Sequence, residues 1–224
     1  MKTYSVLIRG ESSFLMHAFG VEAQAASGKA TRTVKVQEET PRDAAEKVAY
    51  RAPDNSLYFP AAAIMGMLRN AGSYHKQKGS RKSVKYIIPA ACRVVGDTIT
   101  FLDPHDLTPL KDYEVDSRPV VIPSTKGRIM RHRPRLDAWA ARFDFVIHED
   151  VLDPAFVHNL LVEGGQRIGI GDFRPEKGGG FGVFQVHEWA EFKPKAVKPA
   201  AAEKKTTKKK KATQKKATSR KRAA

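Results

Sequence analysis

Residues 153–189 read DPAFVHNLLVEGGQRIGIGDFRPEKGGGFGVFQVHEW, and they decide the fold because they hold a helix, a glycine-rich segment and a closing strand in one run. Asp153 is placed to cap a helix from Pro154 to about Gly164. Its short side chain can accept from a free N–H of the first turn, where proline is tolerated because its missing N–H would have no helical partner. Half of the chain's 16 glycines then fall between Gly164 and Gly182. Glycine at that density is costly in backbone entropy and is kept where φ must be positive or another backbone comes close. Gly169, Gly171, Gly178, Gly179, Gly180 and Gly182 therefore form a candidate loop. With Arg167, Arg174 and Lys177 interleaved, the close neighbour is either a sugar-phosphate backbone or the chain's own first strand. From Phe181 to Trp189 a closing strand follows.

Outward from this stretch, strands and helices alternate. Residues 139–148 read as a strand with Trp139, Phe143, Phe145 and Ile147 inward. Residues 115–122 and 127–134 flank the turn-like Pro123-Ser124-Thr125-Lys126. Short apolar runs at 86–88, 93–95 and 98–102 read as strands, the last two joined by a Gly96-Asp97 hairpin turn. Residues 59–72 read as a helix with Pro60 in its first turn and Ile64, Met67, Leu68 and Ala71 on one face. Residues 4–9 alternate as an opening strand ended by Gly10, and the polar residues 20–55 form a long excursion. The order predicts an α+β, ferredoxin-like (RRM-like) βαββαβ core, elaborated by an inserted β-hairpin and a long loop. No internal repeat is visible.

The net charge of +16 is unevenly spread: residues 193–224 carry 14 lysines and arginines against one acid, Glu203, which leaves +3 on residues 1–192. The expected organisation is one domain over 1–192 and a lysine-rich tail over 193–224. The tail has too little apolar bulk to offset its ordering entropy and is expected to be disordered. Polybasic tails bind polyanions by releasing counterions. A solubilising or import-like tract and an anionic membrane surface are the alternatives, but no apolar helix face accompanies the lysines. No run has the length of a membrane span and the first residues lack the apolar core of a signal peptide, so a cytoplasmic protein without a membrane partner is expected. A single cysteine, Cys92, excludes an internal disulfide framework and reads as a small buried hydrophobe.

A proline-led helix of small residues with Ile64, Gly66, Leu68 and Arg69, followed much later by a glycine-rich segment ending in Phe181-Gly182-Val183-Phe184, resembles the RAMP superfamily of CRISPR effector proteins. The matching pieces are residues 59–69 and 169–184. The resemblance fits best the backbone-subunit type, several copies of which coat a guide RNA. It implies a ferredoxin palm and a hairpin thumb that intercalates between bases, for which the pair around residues 123–127 is the candidate. It implies as partners a guide RNA, a complementary target, further copies of the chain and other effector subunits. The lysine-rich tail departs from that pattern.

Sequence-independent binding of a single strand needs cations along phosphates and flat groups against bases. Arg69, at the helix end, and Lys76, Lys78, Arg81 and Lys82 after it are candidates for such a track. Arg128, Arg131, Arg133 and Arg135 read at the strand period as one cationic face, unless they pair with Glu114, Asp116 or Asp137 across the hairpin. Arg174 and Lys177 are further candidates. Arg174 either grips phosphate or pairs with Asp172 or Glu176, and Phe173 and Phe181 either stack on bases or join the core.

A rival reading is a metal-independent ribonuclease with His75 or His17 as acid or base, His75 having Lys76 and Lys78 beside it; His132 is a further histidine in a basic segment. Asp43 and Asp54 are loose candidates for an acidic cleavage residue. A third reading is an architectural duplex-DNA binder acting through the tail. The glycine segment lacks the Gly-Lys-Ser/Thr ending of a P-loop and follows a helix, which is the wrong context for a dinucleotide fingerprint. No metal and no cofactor are expected.

Overall fold

The computed structural model describes residues 1–19, 40–121 and 126–192. The expected tail, most of the long excursion and Pro123, Ser124 and Thr125 of the hairpin tip lie outside the described residues. The chain divides into two units, 1–193 and 194–224, and only the first is described below.

The chain opens with β1 (Lys2–Gly10) and a short β2 (Phe14–Leu15). After the excursion come α1 (Pro41–Glu46), β3 (Tyr58–Pro60) and α2 (Ala62–Gly72). A 3-10 turn (Val84–Tyr86), α3 (Ile88–Ala91), β4 (Cys92–Val94) and β5 (Thr98–Leu102) follow. The hairpin strands are β6 (Glu114–Val121) and β7 (Arg128–Leu136). The chain then runs through β8 (Ala140–Ile147), α4 (Pro154–Arg167), a 3-10 turn (Pro175–Lys177) and β9 (Phe184–Glu191).

The main sheet is antiparallel, in the order β3-β5-β8-β1-β9, with β4 also on β8. Its alternation follows from the period-2 pattern of the sequence: Val6 sits opposite Phe143 and Tyr4 opposite Phe145, so apolar residues of both strands share one face. Onto that core pack Ile64, Met67, Leu68 and Ala71 of α2 with Val157, Leu160 and Leu161 of α4. Asp153 caps α4 by accepting from the Ala155 N–H at 3.0 Å. Phe14, Phe59, Phe101 and Trp139 make an aromatic cluster at one end, with ring centroids from 4.8 Å for Phe14–Phe101 to 5.9 Å for Phe14–Phe59. Cys92 is buried and its thiol is pushed up to about 12 by that burial. The molecule is α+β with antiparallel sheets, compatible with a ferredoxin-like core.

Several local expectations are corrected. Pro60 ends β3 rather than starting the helix; β3 is an edge strand, where a residue without an N–H is tolerated. Residues 86–88 are not a strand, because Ser83 caps the 3-10 turn by accepting from the Lys85 N–H and Pro89 opens α3. Gly96-Asp97 is not a hairpin turn, since β4 and β5 lie end to end on the same edge of β8. Gly96 takes φ 84° to make that bend, and the Asp97 carbonyl accepts from the Ala61 N–H at 2.8 Å. The closing strand starts at Phe184, not Phe181.

A second sheet, β2-β7-β6, carries the hairpin. Its regular register sets Asp116 opposite Arg133 and Arg118 opposite Arg131. Beside it, Glu46 of α1 accepts from the Tyr113 hydroxyl at 2.5 Å and the Arg42 guanidinium lies 3.9 Å from the Tyr113 ring centroid. Burial, then the bond to Glu46, pushes the Tyr113 phenol up to about 12.

Candidate nucleic-acid interface

A cleft of about 500 Å³ opens between α2, β2 and the glycine-rich segment. Ala63, Gly66, Met67 and Asn70 line one wall, and their spacing of three and four residues puts them on one face of α2. Phe14, His17, Gly169, Gly171 and Asp172 line the other. A Cβ built on Gly66 meets nothing within 4 Å. A glycine inside a helix costs about 1 kcal/mol against alanine, and no packing partner among the described residues explains this one. The sequence offered a signal for it, an isolated glycine inside a helical pattern.

The glycine-rich segment is chiefly architectural, and it packs against β2 and itself rather than β1. Gly171 has φ 84°, and a Cβ there would sit 2.7 Å from Phe14 Cζ. Gly182 has φ 70°, and its Cβ would fall 1.7 Å from the Ile170 carbonyl oxygen. Gly169 abuts Pro175 and Gly179 abuts Phe173, whereas Gly178 and Gly180 face open space. Arg174 is half-buried, donating to the Gly171 carbonyl at 3.1 Å and forming an ion pair of 2.6 Å with Glu176. Lys177 is exposed in the 3-10 turn. Phe173 holds φ 50°, a strained value for a bulky residue, and is 39% exposed. Its ring lies 6.2 Å from Phe181, over which the Arg118 guanidinium sits at 4.7 Å.

The arginines of β7 do not form one face. Period 2 puts Arg131, Arg133 and Arg135 together and sends Arg128 to the opposite side with Met130 and His132. Of the acids offered as partners, Asp137 holds Arg135, while Glu114 and Asp116 pair with none of the four among the described residues. Buried Arg133 lies 3.2 Å from Asp172 of the glycine-rich segment, and Arg135 lies 2.8 Å from Asp137. Asp116 is taken by Arg118 in a two-pronged contact. Arg128 and Arg131 have no ion-pair partner among the described residues. His17 Nδ1 lies 3.5 Å from Asp172, so one carboxylate ties the cleft to the hairpin base. Burial lowers the His17 pKa, Asp172 opposes the shift, and Arg131 and Arg133 add to it. His17 is therefore held toward its neutral form.

Other candidates lie elsewhere. Arg69 is exposed in the last turn of α2. Lys76, Lys78, Arg81 and Lys82 are exposed beyond that helix and do not line the cleft. His75 lies 2.7 Å from Glu163, which also holds Arg167 at 2.8 Å. His132 shares a 2.7 Å hydrogen bond with Ser117. Thr40 caps α1 by accepting from the Asp43 N–H and donates its hydroxyl to the Asp43 carboxylate, and Asp54 accepts from the Ser56 N–H and hydroxyl, which hold its carboxyl below the usual range. Among the described residues no group of three His, Cys, Asp or Glu side chains converges as a metal site needs, and no helix is long and apolar enough to cross a membrane.

No family model matches the chain, and no curated protein matches it. Among solved structures it is similar to a chain in the cryo-EM structure of the Type III-B Cmr-beta bound to cognate target RNA, with TM-score 0.51 and 14% identity over 86% of this chain. It spans 61% of that chain's length. Matches with TM-scores of 0.40 and 0.39 are to a chain of a Type IV-B CRISPR complex (14% identity, 89% of this chain and 94% of that one) and to Cmr6 from Pyrococcus furiosus (11% identity, 83% and 98%). At 14% identity the likeness to the Cmr-beta chain is one of fold.

Proposed function

We propose that this chain binds single-stranded RNA in the cleft between α2 and the glycine-rich segment, as a repeated, guide-RNA-holding backbone subunit of a CRISPR ribonucleoprotein. The observation that carries the proposal is Gly66: a helix-interior glycine at a cleft wall, with no atom of the described residues within 4 Å of the Cβ it lacks. A sugar-phosphate backbone running along α2 is the close neighbour that such a glycine admits. Arg131, in the middle of the hairpin and with no ion-pair partner among the described residues, supplies charge near His17, while Arg133 and Arg174 pair with acids of the glycine-rich segment. The strand order β5-β8-β1-β9 with α2 and α4 on one face supports reading the core as βαββαβ, and the fold shared with the Cmr-beta chain supports the assembly reading. Held by its phosphates, the guide keeps its bases free, so pairing supplies specificity and the protein supplies shape.

The test is to purify the protein without nuclease and to size and sequence co-purifying nucleic acid, comparing the full chain with one ending at Phe192. Small RNAs of discrete length on the shortened chain support the proposal. Heterogeneous nucleic acid that disappears with the tail overturns it in favour of a polybasic binder. A nucleolytic reading retains one specific observation, the neutral His17 beside Asp172 on the cleft wall.

A further inference from the structure

From residue 55 to residue 96 the sequence holds no acid, and seven lysines and arginines. The structure gathers five of these cations into one small ordered arm between α2 and α3. Lys76 and Ser83 pair as an isolated antiparallel bridge. The Gln77 N–H donates to the Lys82 carbonyl at 2.9 Å, and the Val84 N–H to that of His75 at 3.0 Å. Gly79, at φ 73°, turns the tip between Lys78 and Arg81. Ser83 fastens the base by donating to the Gly72 carbonyl at 2.8 Å. The acid that touches this arm, Glu163, is already held by His75 and Arg167.

Two tyrosines flank the arm where it joins the body. Tyr74 is 75% exposed and Tyr86 is 69% exposed. The Lys85 ammonium stands 4.9 Å from the Tyr86 ring centroid. Neither tyrosine stacks on another ring among the described residues. Large rings left this open beside cations with no ion-pair partner among the described residues match what a single strand requires: flat faces for bases and charge for the phosphates between them. An acidic protein surface would satisfy the lysines but gives no reason for two tyrosine rings exposed to this degree.

We propose that residues 73–86 form a second single-stranded nucleic-acid site, outside the cleft, in which Tyr74 and Tyr86 stack on unpaired bases and Lys78, Arg81 and Lys82 hold the phosphates. This site reads exposed bases, whereas the cleft takes the backbone. It stands without the cleft reading.

The experiment uses the full chain, an oligouridylate carrying photoreactive 4-thiouridine, and an abasic strand of equal length. Cross-links should map to residues 73–86. The double variant Tyr74→Ala/Tyr86→Ala should bind oligouridylate about tenfold more weakly, and Tyr74→Phe/Tyr86→Phe as wild type, since stacking needs the ring and not the hydroxyl. The abasic strand should bind wild type and the alanine variant alike. Equal affinity of both for oligouridylate, or cross-links confined to other segments, overturns the site. So does a loss of equal size with the abasic strand, and so does an arm that captures an acidic peptide but no oligouridylate. Failure of the cleft reading is separable: Gly66→Leu would then bind as wild type while the tyrosine variant still loses affinity.

Discussion

Replacing Gly66 by alanine should move stability and RNA affinity in opposite directions. Gly66 is the fifth of the 11 residues of α2, so its backbone is fully helical. Glycine there costs about 0.8–1.0 kcal/mol relative to alanine through the entropy it loses on folding. A methyl at that position meets no atom within 4 Å. No overpacking offsets the gain, and Gly66→Ala should stabilise by about 1 kcal/mol, which raises Tm by about 2–4 °C for a domain of this size. If a phosphate backbone occupies the cleft, the same methyl intrudes on it, and overpacking costs about 1–3 kcal/mol. That corresponds to about 5-fold to 150-fold in Kd. Gly66→Leu should abolish cleft binding while α2 stays folded. Thermal denaturation and fluorescence anisotropy with a labelled oligouridylate read the two effects. A loss of stability in Gly66→Ala would refute the open wall, and unchanged affinity in Gly66→Leu would refute its occupant.

Arg131→Ala should leave Tm unchanged and reduce the slope of log K against log salt by about 0.7, the share of one phosphate contact on a single strand. Arg133→Ala, which strands the Asp172 carboxylate against a cleft wall, should instead lower Tm in denaturation scans with no such specific change in slope. Phe101→Ala should destabilise by about 3–5 kcal/mol in urea unfolding, because it empties the centre of the aromatic cluster. Stability should also fall from about pH 10 to pH 12: Tyr113 keeps its proton to about 12 when folded but loses it near 10 when unfolded, so the unfolded chain binds fewer protons across that window. Denaturation midpoints at stepped alkaline pH, compared with Tyr113→Phe, isolate this contribution.

The elements with strong periodicity and chemical punctuation were legible in the sequence. The alternation of β1 and β8, the Asp153-Pro154 start of α4 and the buried face of α2 all follow from side-chain spacing and capping. The errors fall where one short signal serves two geometries. A three-residue apolar run such as 86–88 suits a helical turn or a strand, and only the cap from Ser83 decides it. Gly96-Asp97 has hairpin composition, yet which strands pair is set by β8, far along the chain. Within the candidate site, parity alone separates Arg128 from the other three arginines. Asp137, the partner of Arg135, was among those the sequence offered, but the partner of Arg133 was not legible, because Asp172 reaches Arg133 and His17 only through the tertiary packing of the glycine-rich segment.

The contact between buried Arg133 and half-buried Asp172 has a practical corollary at the bench. Added salt collapses the reach of exposed charges to a few ångströms but screens a partly buried pair less. Cations that grip a ligand through counterion release lose it steeply as salt rises. A high-salt wash should therefore strip nucleic acid from the purified protein while the hairpin base and the cleft wall stay latched together. The emptied protein can then be reloaded with a strand of chosen sequence, without a refolding step.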